Sequence, residues 1–173
     1  IYADLDAIKA SFKRLVQALP SAGCLVARWD HPNVREVAAD CPCAIRRYGP
    51  GQEWDGEITG VDPETGKMTF TVLFEGKPYA TYTSSLVGKH NLYNQVAAVA
   101  ALTFYSLKPA QLSEGFESFE GIKRRQQVRG TVAGITVLDD FAHHPTAVQV
   151  TTAALKMRFA GRRLWIVFEP RSN

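Results

Sequence analysis

Cysteine is scarce in this 173-residue chain: Cys24, Cys41 and Cys43 are the whole complement. An odd count does not make a fully paired disulfide framework. The segment 41-CPC-43 has one residue between its thiols, where zinc sites have two to four, and no nearby His or Cys pair completes a ligand set. Reduced thiols of a cytoplasmic protein are the expectation. Long apolar runs are missing too, so nothing approaches the length of a membrane-spanning helix, and no signal peptide is visible at the start. Charge of one sign is not concentrated either. The net charge is +3, and the basic residues are scattered apart from 123-KRR-125 and 162-RR-163, without the stripe of a nucleic-acid binder. No methionine opens the chain, and 169-EPRSN-173 closes it directly after an apolar run, so both ends read as interior to a longer protein.

What is present is an ordinary globular composition, 46% apolar and 21% charged, with a clear alternation of patterns. Leu5, Ile8, Phe12, Leu15, Val16 and Leu19 recur on one face at spacings of three and four, which predicts a helix over 3–19, stopped by Pro20. A short strand at 24–27, a helix at 32–39 opened by proline and a strand at 44–48 follow, as in part of an α/β domain. Residues 54–62, 67–76 and 77–85 alternate apolar and polar positions around the turns 62-DPETGK-67 and 75-EGK-77, which predicts an antiparallel meander. Helices are expected over 90–107 and 109–119. Glycine and charge then break the pattern in 120-EGIKRRQQVRG-130, a candidate domain boundary.

Beyond it, 127–141 reads as two strands turning near Gly134, and 145–158 as a helix with Pro145 at its first position. The apolar run 163-RLWIVFE-169 is expected to be a buried strand, completing a right-handed strand–helix–strand unit. Ligands of open α/β sheets bind beyond the carboxyl ends of strands. Asp139, Asp140, His143 and His144 fall at one such end, before a helix N-terminus that favours anions, and 169-EPRSN-173 is expected at the next.

Each motif has a plain alternative. The segment 60-GVDPETGKM-68 resembles a phosphate loop, but five residues precede Gly-Lys and Met68 follows, between two strands; it is a hairpin turn. Asn91 and Asn94 share a face of the helix start. His90 or Asn91 suits capping, and the two carboxamides suit an adenine edge, which an amide can match by donating and accepting at once. The cluster 123-KRR-125 suits a solvated linker or a phosphate clamp, and 139-DDFAHHP-145 suits helix capping or a ligand.

Taken in order, 88-GKHNLYN-94, 121-GIKRR-125 and 139-DDFAHHP-145 resemble the Mur ligases, ATP-dependent enzymes that join amino acids or peptides to cell-wall precursors. The opening IYADLDAIKASFKRLV carries the same likeness. The double histidine resembles the branch acting directly on UDP-N-acetylmuramate. FEPRSN is similar to members that add L-alanyl-γ-D-glutamyl-meso-diaminopimelate in peptidoglycan recycling, rather than to those that add alanine. The resemblance implies an α/β fold: residues 1–120 as the latter part of a central ATPase domain, 121–126 as a hinge, and 127–173 as the beginning of a Rossmann-like C-terminal domain. It implies ATP and magnesium as cofactors, the phosphate loop and the metal ligands being expected upstream of Ile1, so that this chain alone would be inactive. It implies phosphorylation of the muramoyl carboxylate and attack by the amine of the peptide on the acyl phosphate. Carried onto these positions, His90, Asn91 and Asn94 match the adenine-binding segment. Arg125 matches the interdomain arginine near phosphates or ribose, with Arg124 beside it, and Asp140 the acceptor of ribose hydroxyls, with Asp139 structural. His143 matches the histidine close to the nucleotide and is the catalytic candidate, with no general-base role assigned. Arg171, Ser172 and Asn173 are placed to meet the carboxylates of the incoming peptide. The alternatives are an alanine-adding or folylpolyglutamate-type ligase, a non-catalytic module in which the histidines hold a metal or a nucleotide, and an interaction domain with no small ligand.

Overall fold

The computed structural model describes residues 2–169. It is a mixed α/β structure whose elements run α1 (Leu5–Gln17), β1 (Cys24–Arg28), α2 (Pro32–Ala38), β2 (Ala44–Tyr48), β3 (Trp54–Val61), β4 (Met68–Phe74), β5 (Lys77–Ser84), α3 (Lys89–Phe104), α4 (Pro109–Ser118), β6 (Gln127–Val132), β7 (Ile135–Asp139) and α5 (Pro145–Arg158). The first five strands form one sheet in sequence order, and β6 and β7 form a second. β1 and β2 are parallel, joined through α2. β6 and β7 are antiparallel, with an irregularity between Val128 and Gly130.

Turn chemistry sets both tight hairpins. Glu75 (φ 49°) and Gly76 (φ 74°) link β4 to β5, and Ala133 (φ 48°) and Gly134 (φ 80°) link β6 to β7. Two consecutive residues at positive φ are what the favoured two-residue hairpin loop requires, and glycine takes the second place at no steric cost. The β3–β4 connection is a side-chain-capped turn, not a phosphate loop. Asp62 Oδ1 accepts from Glu64 N at 2.8 Å and Thr65 N at 3.3 Å, and Gly66 N donates to Asp62 O at 2.8 Å. Pro78 lies in β5 at the sheet edge, where its missing N–H costs no ladder bond.

The chain gathers into two compact units. One holds the residues up to Glu57 with Thr71–Thr81 and Tyr93–Leu112; the other holds Ile58–Phe70, Tyr82–Leu92 and the chain from Ser113 on. In the first, Trp54 is buried against Phe74 and Tyr79, with ring centroids 4.6 and 5.3 Å away. The Arg46 guanidinium ties β2 to α3 by donating to Ala100 O and Thr103 Oγ1. In the second, Phe70 is fully buried against the rings of Tyr82 and Phe116, each 5.6 Å away, and Met68, Val87 and Leu92 are buried in the same unit.

The apolar face of α1 is largely open: Val16 is buried, but Leu5, Phe12 and Leu15 are more than half exposed. Periodicity marks a face that can be buried, and no described element covers this one. One expectation fails: residues 163–169 form no strand. Trp165 is 80% exposed and Val167 fully so. An apolar run becomes a buried strand only beside a strand with an open edge and under cover on both faces. Here it lies along an open trough of about 730 Å³ lined by Leu138, Val148 and Leu155 of β7 and α5. The strand–helix–strand unit is therefore realised only as far as its helix.

Candidate functional site

The second unit brings three of the motifs together at the N-terminus of α3. Gly88, at φ 109°, lets the chain turn into the helix, and Leu92 N closes the first turn on Gly88 O at 2.9 Å. His90 follows, half-buried. Its Nδ1 is buried and has no hydrogen-bond partner among the described residues. Burial pushes the imidazole below its ordinary pKa; the carboxylate of Asp140 opposes this and the guanidinium of Arg125 adds to it. His90, Arg125 and Asp140, separated by 35 and 15 residues in sequence, thus share one electrostatic neighbourhood.

Asp140 occupies the loop between β7 and α5, and both its oxygens are engaged. Oδ1 accepts from Ala142 N at 2.8 Å, the local turn expected of an aspartate. Oδ2 accepts from Gln126 N at 2.9 Å. Phe141 N adds a bond to Arg124 O at 2.8 Å. These bonds clasp the 119–126 segment, which has no helix or strand, to the loop that precedes α5. Arg124 and Gln126 sit there at φ 60° and 48°, an uncommon conformation for non-glycine residues that the clasp holds in place. The Arg124 guanidinium lies 5.0 Å from the centre of the Phe141 ring, with Nε 3.8 Å from Asp139 Oδ2. Arg125 itself is exposed.

The histidine pair divides. His144 is the N-cap of α5: its Nδ1 accepts from Ala147 N at 3.3 Å. His143 is exposed, its Nδ1 is 2.9 Å from Phe141 O, and its ring packs 4.9 Å from Phe141 and edge-on to His144. Asn91 bonds back onto Val87 O through Nδ2 at 2.9 Å, so part of its amide fixes the helix start. Asn94, a turn along α3, is exposed and belongs to the first unit. Arg171, Ser172 and Asn173 lie outside the described residues.

Sequence reasoning missed Gln126, Ala154 and Arg158. Gln126 acts through its backbone N–H, which no side-chain motif reveals. Ala154 is 1% exposed on α5. Arg158 is half-buried, with Nη1 3.5 Å from Gln126 O and a buried Nε without a partner among the described residues; burial lowers its pKa. Only helical periodicity could have flagged the last two, and it says nothing of what they meet. Among the described residues no group of three or more His, Cys, Asp or Glu side chains is placed to hold a metal ion.

Known proteins match the chain along most of its length. Residues 1–102 match the Mur ligase middle domain, and residues 124–173 match the family described as Mur ligase, glutamate ligase domain. A UDP-N-acetylmuramate–L-alanine ligase of Alkaliphilus metalliredigens is 33% identical over 172 residues, 99% of this chain and 37% of that protein. A UDP-N-acetylmuramate–L-alanyl-γ-D-glutamyl-meso-2,6-diaminoheptandioate ligase of Escherichia coli is 35% identical over 175 residues, 100% of this chain and 37% of that protein. The chain thus spans little more than a third of the length of these relatives. The crystal structure of a murein peptide ligase from Psychrobacter arcticus superposes with a TM-score of 0.63 at 34% identity, covering 100% of this chain and 36% of that one.

Proposed function

Because the chain belongs to the Mur ligase family, we propose that it contributes the adenosine side of the nucleotide site in an ATP-dependent ligase acting on UDP-N-acetylmuramate. The observation that carries this is the meeting of His90, Arg125 and Asp140. A buried imidazole nitrogen lacking a partner is an unmet polar group that a purine edge satisfies. Beside it stand a guanidinium suited to phosphate or ribose and a carboxylate that keeps an acceptor position on each oxygen after its two backbone bonds. His90 and Asn91 hold the base, Arg125 the sugar–phosphate, and His143 stands beside the nucleotide; Asn94 is the outer residue of the adenine segment. Residues 121–126 are the hinge between the central ATPase part and the C-terminal part.

ATP supplies the phosphoryl group that turns the muramoyl carboxylate into an electrophile. This chain's share is positioning and charge placement, which dominate phosphoryl-transfer catalysis. Among the described residues no three His, Cys, Asp or Glu side chains cluster to hold a metal ion, and the magnesium ligands are expected elsewhere in the intact protein. Isolated, the chain is expected to have no ligase activity.

For the incoming amine, the segment 169-EPRSN-173 favours the tripeptide L-alanyl-γ-D-glutamyl-meso-diaminopimelate, as in peptidoglycan recycling in the cytoplasm. The 33% identical alanine ligase favours L-alanine as the second reading. The deciding experiment is phosphate release by the intact protein with ATP, UDP-N-acetylmuramate and either amine. Tripeptide-dependent release supports the first reading, and release with L-alanine alone replaces it. Arg171→Ala is expected to raise the KM for tripeptide about tenfold, on the scale of one charge-assisted bond, and to spare the KM for ATP.

A further inference from the structure

α5 is seated on glycines. A Cβ added at Gly88 would collide with the Cβ of Ala154, lie 3.3 Å from its Cα, and lie 3.3 Å from Cε1 of His90. Near the far end of the helix, a Cβ at Gly66 would lie 3.2 Å from Nε of Arg158. Gly88 is buried, and Ala154 is 1% exposed. The space that one methyl group would fill at Gly88 therefore borders both the α5 backbone and the His90 ring. The same helix begins at His144, directly after the loop in which Asp140 clasps Gln126. Only four residues lie between Asp140 and Pro145, so the seating of α5 bears on where the Asp140 loop lies.

We infer that Ala154 is a positioning residue: its contact with Gly88 sets α5 against the start of α3 and thereby places Asp140 beside His90. The inference deepens the nucleotide reading and rests on it for its functional meaning, but the contact can be tested without a nucleotide. Position 154 must be small because the helix backbone approaches Gly88 directly. A larger residue pushes α5 outward, lets water reach His90 and separates it from Asp140. Burial is the main cause of the lowered His90 pKa, so its loss outweighs the departure of the carboxylate and the net movement is upward.

The experiment follows the four imidazoles of the isotope-labelled 173-residue chain by NMR across pH, in the parent, Ala154→Leu and Ala154→Gly. Ala154→Leu is expected to raise the His90 midpoint toward the ordinary imidazole range while the amide signals of β1 and β2 keep their positions. Ala154→Gly is expected to lower the Tm, because glycine weakens a helix interior, yet to leave His90 unmoved because the seat stays open. A purely structural role would tie the two readouts together. An unchanged His90 midpoint in folded Ala154→Leu overturns the inference, as does movement of His90 in Ala154→Gly. If Ala154→Leu does not fold, Ala154→Val is judged by the same criteria. ATP added to the intact protein separates the two ideas: if the His90 midpoint responds to Ala154→Leu in the 173-residue chain while the His90 resonance of the intact protein ignores ATP, the seat stands and the nucleotide reading fails.

Discussion

Asp140 shows how much one carboxylate can hold. It binds two backbone amides, and the Gln126 amide belongs to a residue only 9% exposed. Removing the acceptor strands a donor away from water, so Asp140→Ala is expected to cost about 1–3 kcal/mol, read as a lower urea midpoint, with faster hydrogen exchange at Gln126 and Ala142. An unchanged midpoint with unchanged exchange would show the clasp to be idle. His90 gives a pH dependence. Its folded pKa is depressed by burial, so the neutral ring is favoured in the native state. That contribution to stability is fully present above the unfolded-state value of about 6.5 and is lost as pH falls from there through the lower folded value. Urea unfolding from pH 7.5 to 5.5 should show a decline that His90→Gln reduces.

At the scale of elements, α5 depends on an unusual cap. His144 supplies the acceptor that Ser, Thr, Asp or Asn more often provides, across a long 3.3 Å bond. His144→Ala is therefore expected to cost about 0.5–1 kcal/mol, the lower part of the range for lost caps, measurable by thermal unfolding. The run 163–168 makes the opposite prediction. Val167 is fully exposed, so Val167→Asp should change the stability of this chain by no more than about 0.5 kcal/mol, as for other surface positions. A loss of several kcal/mol would mean that the segment is buried as a strand in solution.

Across the whole molecule, the aromatic cluster of Phe70, Tyr82 and Phe116 anchors the core of the second unit. Phe70→Ala is expected to cost about 3–5 kcal/mol, a large share of the roughly 5–15 kcal/mol available to a folded domain. The loss would be seen as a fall of the denaturant midpoint. Fold and site were legible to different depths in the sequence. Helices and strands were read because hydrophobic period, proline and turn residues act over a few positions, as at 75-EG-76 and Pro145. The run 163–169 was misjudged because a pattern states what can be buried, not whether a neighbour exists to bury it. Site candidates were read from side-chain chemistry, yet the double role of Asp140, the capping by His144 and the part of Asn91 spent on Val87 O emerged only with coordinates.

The sequence by itself determined the order of elements, the hairpin turns and the family, since these reside in local chemistry and in motifs read along one strand of text. Tertiary structure alone decided that α5 rests on Gly88 and that residues 90, 125 and 140 share one electrostatic environment. Those facts depend on packing between segments far apart in the chain, where one methyl group at a contact decides how closely two backbones approach.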